Sequence, residues 1–183
     1  MASAFGHALA AITLGTNFSK ILKSWKFWVL GVICSIFPDL DVIGFQFQIP
    51  YDSFWGHRGF SHSLLFALLF GTFLTAIFYW KGFLSKNGML LICYFSLCTS
   101  SHAILDALTS GGLGVAFFSP WDNTRYFFPW RPIQVSPIGV EKFFGEWGRR
   151  VLLSEAIWIG IPCLIYITFT KVIRRIKQTT TKV

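Results

Sequence analysis

Apolar residues fall into five long runs separated by short polar or basic interruptions, and these runs set the predicted elements. The first, Ala2 to Phe18, is Ala-rich and is followed by Lys20, Lys23 and Lys26. A secretory signal carries its positive charge before the apolar stretch, so this segment is expected to be retained. The second run, Phe27 to Phe37, is expected to stop at Pro38, whose ring disfavours helical geometry at the preceding residue. It is too short to span a bilayer unless the helix begins nearer Ile21. Polar residues, glycines and aromatics then predict a loop from Asp39 to Gly59. The third run, Ser63 to Trp80, is long enough to cross and ends at Lys81 and Lys86. The fourth, Gly88 to Leu108, begins apolar, then carries Ser100, Ser101, His102 and Asp106 before Gly111, Gly112 and Gly114 break it. Residues 115–150 hold Pro120, Pro129, Pro132 and Pro137 among many aromatics, which predicts a folded loop at the membrane surface. The last helix is expected over Val151 to Thr170, with a tail containing Lys171, Arg174, Arg175, Lys177 and Lys182.

Composition narrows the class. Of 183 residues, 54% are hydrophobic and 13% charged, against roughly a quarter charged in soluble domains. Mean hydropathy is +0.57, which with the apolar runs excludes an ordinary soluble globule, a disordered chain, a coiled coil and collagen. The expected fold is all-α: a polytopic membrane protein with about four to five transmembrane helices and a structured surface loop. One membrane-embedded domain over 1–170 is expected, with loop 111–150 at the membrane surface and a basic cytoplasmic tail over 171–183. The net charge of +8 is carried between and after apolar segments, which points to anionic lipid and the positive-inside rule and away from nucleic acid. Cys34, Cys93, Cys98 and Cys163 all lie in apolar runs without metal-site spacing and are read as small buried hydrophobes.

Charge counting gives an orientation. An extracytoplasmic N-terminus places the stretches 20–26, 81–86 and the tail inside, with ten of the sixteen Lys and Arg. All eight acids and all four histidines then lie outside or toward the outer helix ends. Arg125, Arg131, Lys142, Arg149 and Arg150 run against this assignment.

The same arrangement gathers the ionisable residues at one membrane face. His7 stands near the outer end of the first helix, Pro38-Asp39-Leu40-Asp41 leaves the second, His57-Arg58-Gly59-Phe60-Ser61-His62-Ser63 enters the third, and His102-Ala103-Ile104-Leu105-Asp106 lies near the end of the fourth. His102 and Asp106, four apart, share a helix face. Asp39 and Asp41 point the same way if the chain is extended there. His57 and His62 converge if Gly59 turns the chain and Ser61 caps the next helix. Taken singly, His7 is an interfacial histidine and the two aspartates a solvated helix end. Taken together, ionisable groups at membrane depth cost of the order of 2 to 3 kcal/mol each and need a partner, which one divalent cation would supply. The metal candidates are His7, Asp39, Asp41, His57, His62, His102 and Asp106, with Asp39 also a candidate catalytic carboxylate. Mixed His and Asp ligands suit zinc first, with manganese or iron as alternatives. Because seven candidates exceed the usual four for one zinc, two ions activating a bridging water for phosphoester hydrolysis are an option. Arg58 is a candidate catalytic phosphate fork or, equally, a brace on a site aspartate. Arg131 is a second phosphate candidate, and Glu155 is a metal-site group or the partner of an arginine such as Arg150.

These ordered motifs, with Gly6-His7 and its Ala-rich helix, resemble the YdjM-like membrane-bound metal-dependent hydrolases, a bacterial and archaeal inner-membrane family, over about residues 1 to 170. The resemblance implies a hydrolase whose His and Asp residues bind metal. A membrane lipid or lipid-linked phosphoester is the expected substrate class, and the inner membrane the expected location. The His-x-x-x-Asp element also looks like that of zinc-dependent phospholipase C, without its further His-rich element. The alternatives are a metal-binding or metal-transporting protein, and an interaction protein with a structural metal. A transport path would place ligands near the bilayer midplane, and a structural zinc would use four ligands with no vacant position. H-E-x-x-H is absent, and neither Ser61 nor Ser101 lies in G-x-S-x-G.

Overall fold

The computed structural model describes residues 1–18 and 24–180. Lys20, Ile21, Lys23 and Lys182 lie outside the described residues. Helix α1 spans Ala4–Gly15, with Ser3 in extended geometry at its N-cap and the Ser3 hydroxyl accepting from Gly6 N. Helix α2 spans Trp25–Ile36, capped in the same way by Ser24.

The chain does not leave the helix at Pro38. A 3-10 helix, Phe37–Phe47, continues directly from α2, with Pro38 in its first turn. There the missing N–H is one of the groups a helix start leaves unpaired anyway. Trp25–Phe47 thereby becomes a 23-residue apolar element, lengthened at its C-terminal end. Runs of 3-10 helix beyond three or four residues are uncommon, and this one carries Asp39 and Asp41.

A short 3-10 turn, Phe60–His62, precedes α3, Leu64–Phe78. The cap is Ser63, which accepts from Phe66 N at 3.0 Å, and the left-handed residue is Arg58 at φ 63. Ser61 does not cap because its hydroxyl is drawn to Asp41 Oδ2 at 2.6 Å. Gly59 keeps a negative φ, but a Cβ there would collide with the Phe54 and Gly56 carbonyls. Helix α4, Lys86–Ala107, is capped by Ser85. Beyond it, Gly112 and Gly114 take φ of 95 and 86, the left-handed conformation that glycine tolerates. Two isolated bridges pin the long loop, Thr109 to Ile133 and Val115 to Tyr126.

After the single turn α5, Val140–Phe143, helix α6 spans Glu146–Glu155, a π-helical turn covers Ala156–Gly160, and α7 covers Ile161–Thr180. The final helix thus starts before Val151 and absorbs Lys171, Arg174, Arg175 and Lys177, which were expected in a tail. Pro162 has no N–H to return to the Trp158 carbonyl, and the widened turn precedes it.

Among the described residues, three helices are long and apolar enough to cross a membrane: Trp25–Phe47, Lys86–Ala107 and Glu146–Thr179. Two shorter apolar helices, α1 and α3, accompany them. The protein is an all-α polytopic membrane protein. Its core is organised around Tyr94, which stacks on Phe27 at 4.1 Å and donates to the Ala11 carbonyl at 3.2 Å. Small residues let helices approach, as is usual where lipid removes the hydrophobic drive for association. Gly31 faces the Tyr94 hydroxyl, and a Cβ at Gly71 would lie 2.7 Å from Ser96 N. All four cysteines are free thiols; Cys34 and Cys98 are buried, but Cys93 is exposed on α4 and Cys163 is half-buried against Ala2, Ile133 and Ile159.

Candidate metal centre

Alternating helix directions bring the start of α1, the end of α2 with its 3-10 extension, the turn before α3 and the end of α4 together at one end of the bundle. Asp39 and Asp41 do not point the same way. A 3-10 helix advances about 120° per residue, so positions two apart diverge. The two carboxylates instead approach His62 from opposite sides of its ring. Asp39 Oδ1 lies 3.8 Å from His62 Nε2, and Asp41 Oδ2 lies 3.1 Å from His62 Nδ1.

Hydrogen bonding fixes which nitrogens face the centre. His102 Nδ1 lies 2.7 Å from the Ser35 carbonyl, which can only accept, so Nδ1 carries the proton and Nε2 presents its lone pair. His62 Nδ1 is held by Asp41, leaving its Nε2 inward, 3.0 Å from His102 Nε2. Asp39 Oδ1 is 3.4 Å from His102 Nε2. Asp106 Oδ2 is 3.7 Å from His62 Nε2 and 3.9 Å from His102 Nε2. Ligands about 2.1 Å from one ion lie about 3.0 to 4.2 Å from each other, and every one of these separations falls in that range. The donor atoms of Asp39, His62, His102 and Asp106 all lie within 4.8 Å of one another, all buried. These four could hold a metal ion.

Electrostatics favours a cation there. Burial opposes charge on His62, but Asp106, Asp39 and Asp41 outweigh it and push the imidazole up to about 10. One proton between the two Nε2 atoms satisfies their 3.0 Å contact; a divalent ion would be met by the same lone pairs. Among the described residues, Asp39 Oδ1 and both ring nitrogens of His7 are buried without a hydrogen-bond partner, and such groups are costly unless something satisfies them.

The remaining candidates surround this centre. Asp41 accepts from Ser61 Oγ, from Arg58 N at 3.1 Å, from His62 and from His57 Nδ1 at 2.6 Å. Together with His57 and His62 it forms a second possible ligand group. Four donors fill the acceptor positions of a carboxylate, and two of them are the imidazoles of His57 and His62. Burial holds the His57 imidazole below its ordinary value despite Asp41. His7 stacks on His102 at 3.8 Å, with Nε2 3.4 Å from Asp106 Oδ1.

Arg58 is fully buried. Its Nε donates to Asp106 Oδ2 at 3.1 Å, and its two terminal nitrogens donate to the Gly111 carbonyl and to Thr109 Oγ1. The geometry is that of a brace on an aspartate, with Asp106 the one chosen. Glu155 pairs with no arginine; it accepts from Ser3, while Arg150 pairs with Glu146. Arg131 lies over the Phe127 ring. Sequence reasoning did not find the contributions of Ser3, Ser35, Ser61 and Thr109. Ser61, inside the His-rich motif, had a local signal; the Ser35 carbonyl and Thr109 are reached only through tertiary contact.

Comparison with known proteins agrees with this architecture. The sequence matches the family described as YdjM inner membrane protein over residues 1–176. It is 32% identical over 167 residues to the Inner membrane protein YbcI of Escherichia coli (strain K12), covering 90% of this chain and 94% of that protein. No solved structure matches. With that match over residues 1–176, this multi-pass helical chain belongs to the YdjM inner membrane protein family.

Proposed function

We propose that the protein is a metal-dependent hydrolase of the inner membrane that cleaves a phosphoester in a lipid or lipid-linked substrate. The observation that carries this reading is the convergence of four buried donor atoms, with Nδ1 of both imidazoles held by acceptors so that Nε2 faces the centre. In this reading Asp39, His62, His102 and Asp106 are the ligands. A divalent ion bound there would polarise the phosphoryl oxygen and lower the pKa of water. A zinc, manganese or iron ion held by these four that took a further ligand would have a position for water beside them.

The chain's own groups supply orientation and proton transfer. The Ser35 carbonyl and Asp41 hold His102 and His62 as acceptors, as outer-shell partners do in metal sites. His57 donates Nδ1–H to Asp41 and keeps Nε2 as an acceptor, suited to take a proton from water. Arg58 neutralises Asp106 from behind. A lipid substrate fits a centre at the end of an apolar bundle, where exposed Phe47 ends the 3-10 helix that carries Asp39 and Asp41 and exposed Trp55 stands two residues before His57. Aromatics of this kind favour the membrane interface. The site is assigned to the extracytoplasmic face, the loop 111–150 to the membrane surface and the C-terminus to the cytoplasm.

Metal binding without hydrolysis is the second reading, favoured by the near-complete burial of the four ligands. Metal analysis of purified protein together with phosphate release from a panel of lipid phosphates separates the two. The expected result is bound divalent ion with turnover, both lost in His102→Ala while the protein remains inserted, since apolar helices drive insertion. Bound ion without turnover supports the second reading, and undiminished metal in His102→Ala rejects the assigned ligand.

A further inference from the structure

Glu155 lies buried at the end of α6, immediately before the π-helical turn. A buried carboxylate is costly unless donors reach it. The donors come from Ser3, whose backbone N–H and hydroxyl bind the two carboxylate oxygens separately. Ser3 is also the N-cap of α1, and its carbonyl accepts the His7 N–H at 3.1 Å. One residue earlier, Ala2 N donates to Asp106 Oδ1 at 2.7 Å. Asp106 is therefore held on one oxygen by Arg58 and on the other by the backbone that Glu155 anchors. Gly6 makes the approach possible, because a Cβ there would lie 3.1 Å from Glu155 Cδ and Oε2.

We infer that Glu155 is a positioning residue for the candidate metal centre: by gripping Ser3 it holds residues 1–3 against Asp106 and sets the placement of His7. This rests on the metal-centre reading above. Glu155 touches none of the four ligands in the contacts described; its action passes through Ser3 and Ala2. The Gly6-His7 motif acquires a physical meaning, with Gly6 making room for the strut and His7 placed by it.

The test uses the full-length protein in detergent, loaded with zinc or cobalt. Glu155→Ala is expected to release metal about 10- to 100-fold faster, the range for outer-shell changes, and to alter the visible spectrum of the cobalt-loaded protein. Glu155→Gln keeps an oxygen for Ser3 N–H and an amide donor for Ser3 Oγ, so its release rate should stay within about threefold of the parent. Ser3→Ala, a milder change, should lie between the two. Unchanged release and spectrum in Glu155→Ala overturn the inference, as does a Glu155→Gln variant as impaired as Glu155→Ala, which would mark the charge itself as the active element. Exchange of the Ser3 amide, followed by NMR, reads the strut without metal. Protection lost in Glu155→Ala and kept in Glu155→Gln supports it, and protection retained in Glu155→Ala overturns it. A parent protein that takes up no metal counts against the metal reading alone, and the exchange result still decides the strut.

Discussion

Arg58 joins several parts of the centre. Its backbone sits in the left-handed region, its N–H reaches Asp41, and its guanidinium spans Asp106, Thr109 and Gly111. A lysine offers one compact ammonium in place of a planar fork and cannot serve three acceptors in different directions. Arg58→Lys is therefore expected to weaken metal retention by about 10- to 100-fold and lower turnover with it. Metal stoichiometry and activity measured on one preparation check this; full metal with lost phosphoester activity would return Arg58 to the substrate-fork role. The two roles could not be separated from sequence, because the deciding partners, Thr109 and Gly111, lie some fifty residues away in the glycine-rich break after α4. By contrast, the i, i+4 spacing of His102 and Asp106 was legible, since helix geometry alone places them on one face.

At the scale of elements, helix existence was readable from apolar runs, while helix ends were governed by local competition for donors. Pro38 reads as a stop because its ring opposes the preceding helical residue, yet a change of helix type makes it a start. Ser61 reads as a cap, but a buried carboxylate outcompetes the backbone for its hydroxyl, and Ser63 caps instead. Close packing around Tyr94 has a measurable counterpart. Gly31→Ala drives a methyl into the Tyr94 ring and hydroxyl, and overpacking of this kind costs about 1 to 3 kcal/mol. Thermal unfolding in detergent should show the loss, and adding Tyr94→Phe should recover part of it by removing the nearest atom. Recovery is expected to be incomplete, because Tyr94 Cζ and Cε1 would still lie 2.7 and 2.9 Å from the new carbon.

For the whole molecule, Arg125, one of the residues that run against the orientation, and Arg58 on the same side are both engaged inside the protein. Arg58 is buried, and Arg125 turns inward to donate to the carbonyls of His57, Tyr51 and Ser53. Both act as internal cross-links, so their charge is a poor guide to the side of the membrane. A C-terminal fusion is expected to fluoresce with green fluorescent protein and to be inactive with a periplasmic phosphatase; the reverse pattern would invert the orientation and move the centre to the cytoplasmic face. The 3-10 extension of α2 also fixes a depth. At about 1.5 Å per α-helical residue and about 2.0 Å per 3-10 residue, Asp39 lies about 22 Å along the axis from Trp25. Trp25 is an exposed aromatic, suited to mark the opposite interface. In a hydrocarbon layer about 30 Å thick, a tryptophan anchored at one boundary leaves Asp39 several ångströms beneath the other. Under the proposed hydrolase function, a water-soluble ester would have to descend into that layer, whereas a lipid already resident there would need only a short lateral and vertical displacement, which would give the bilayer itself a part in selecting the substrate.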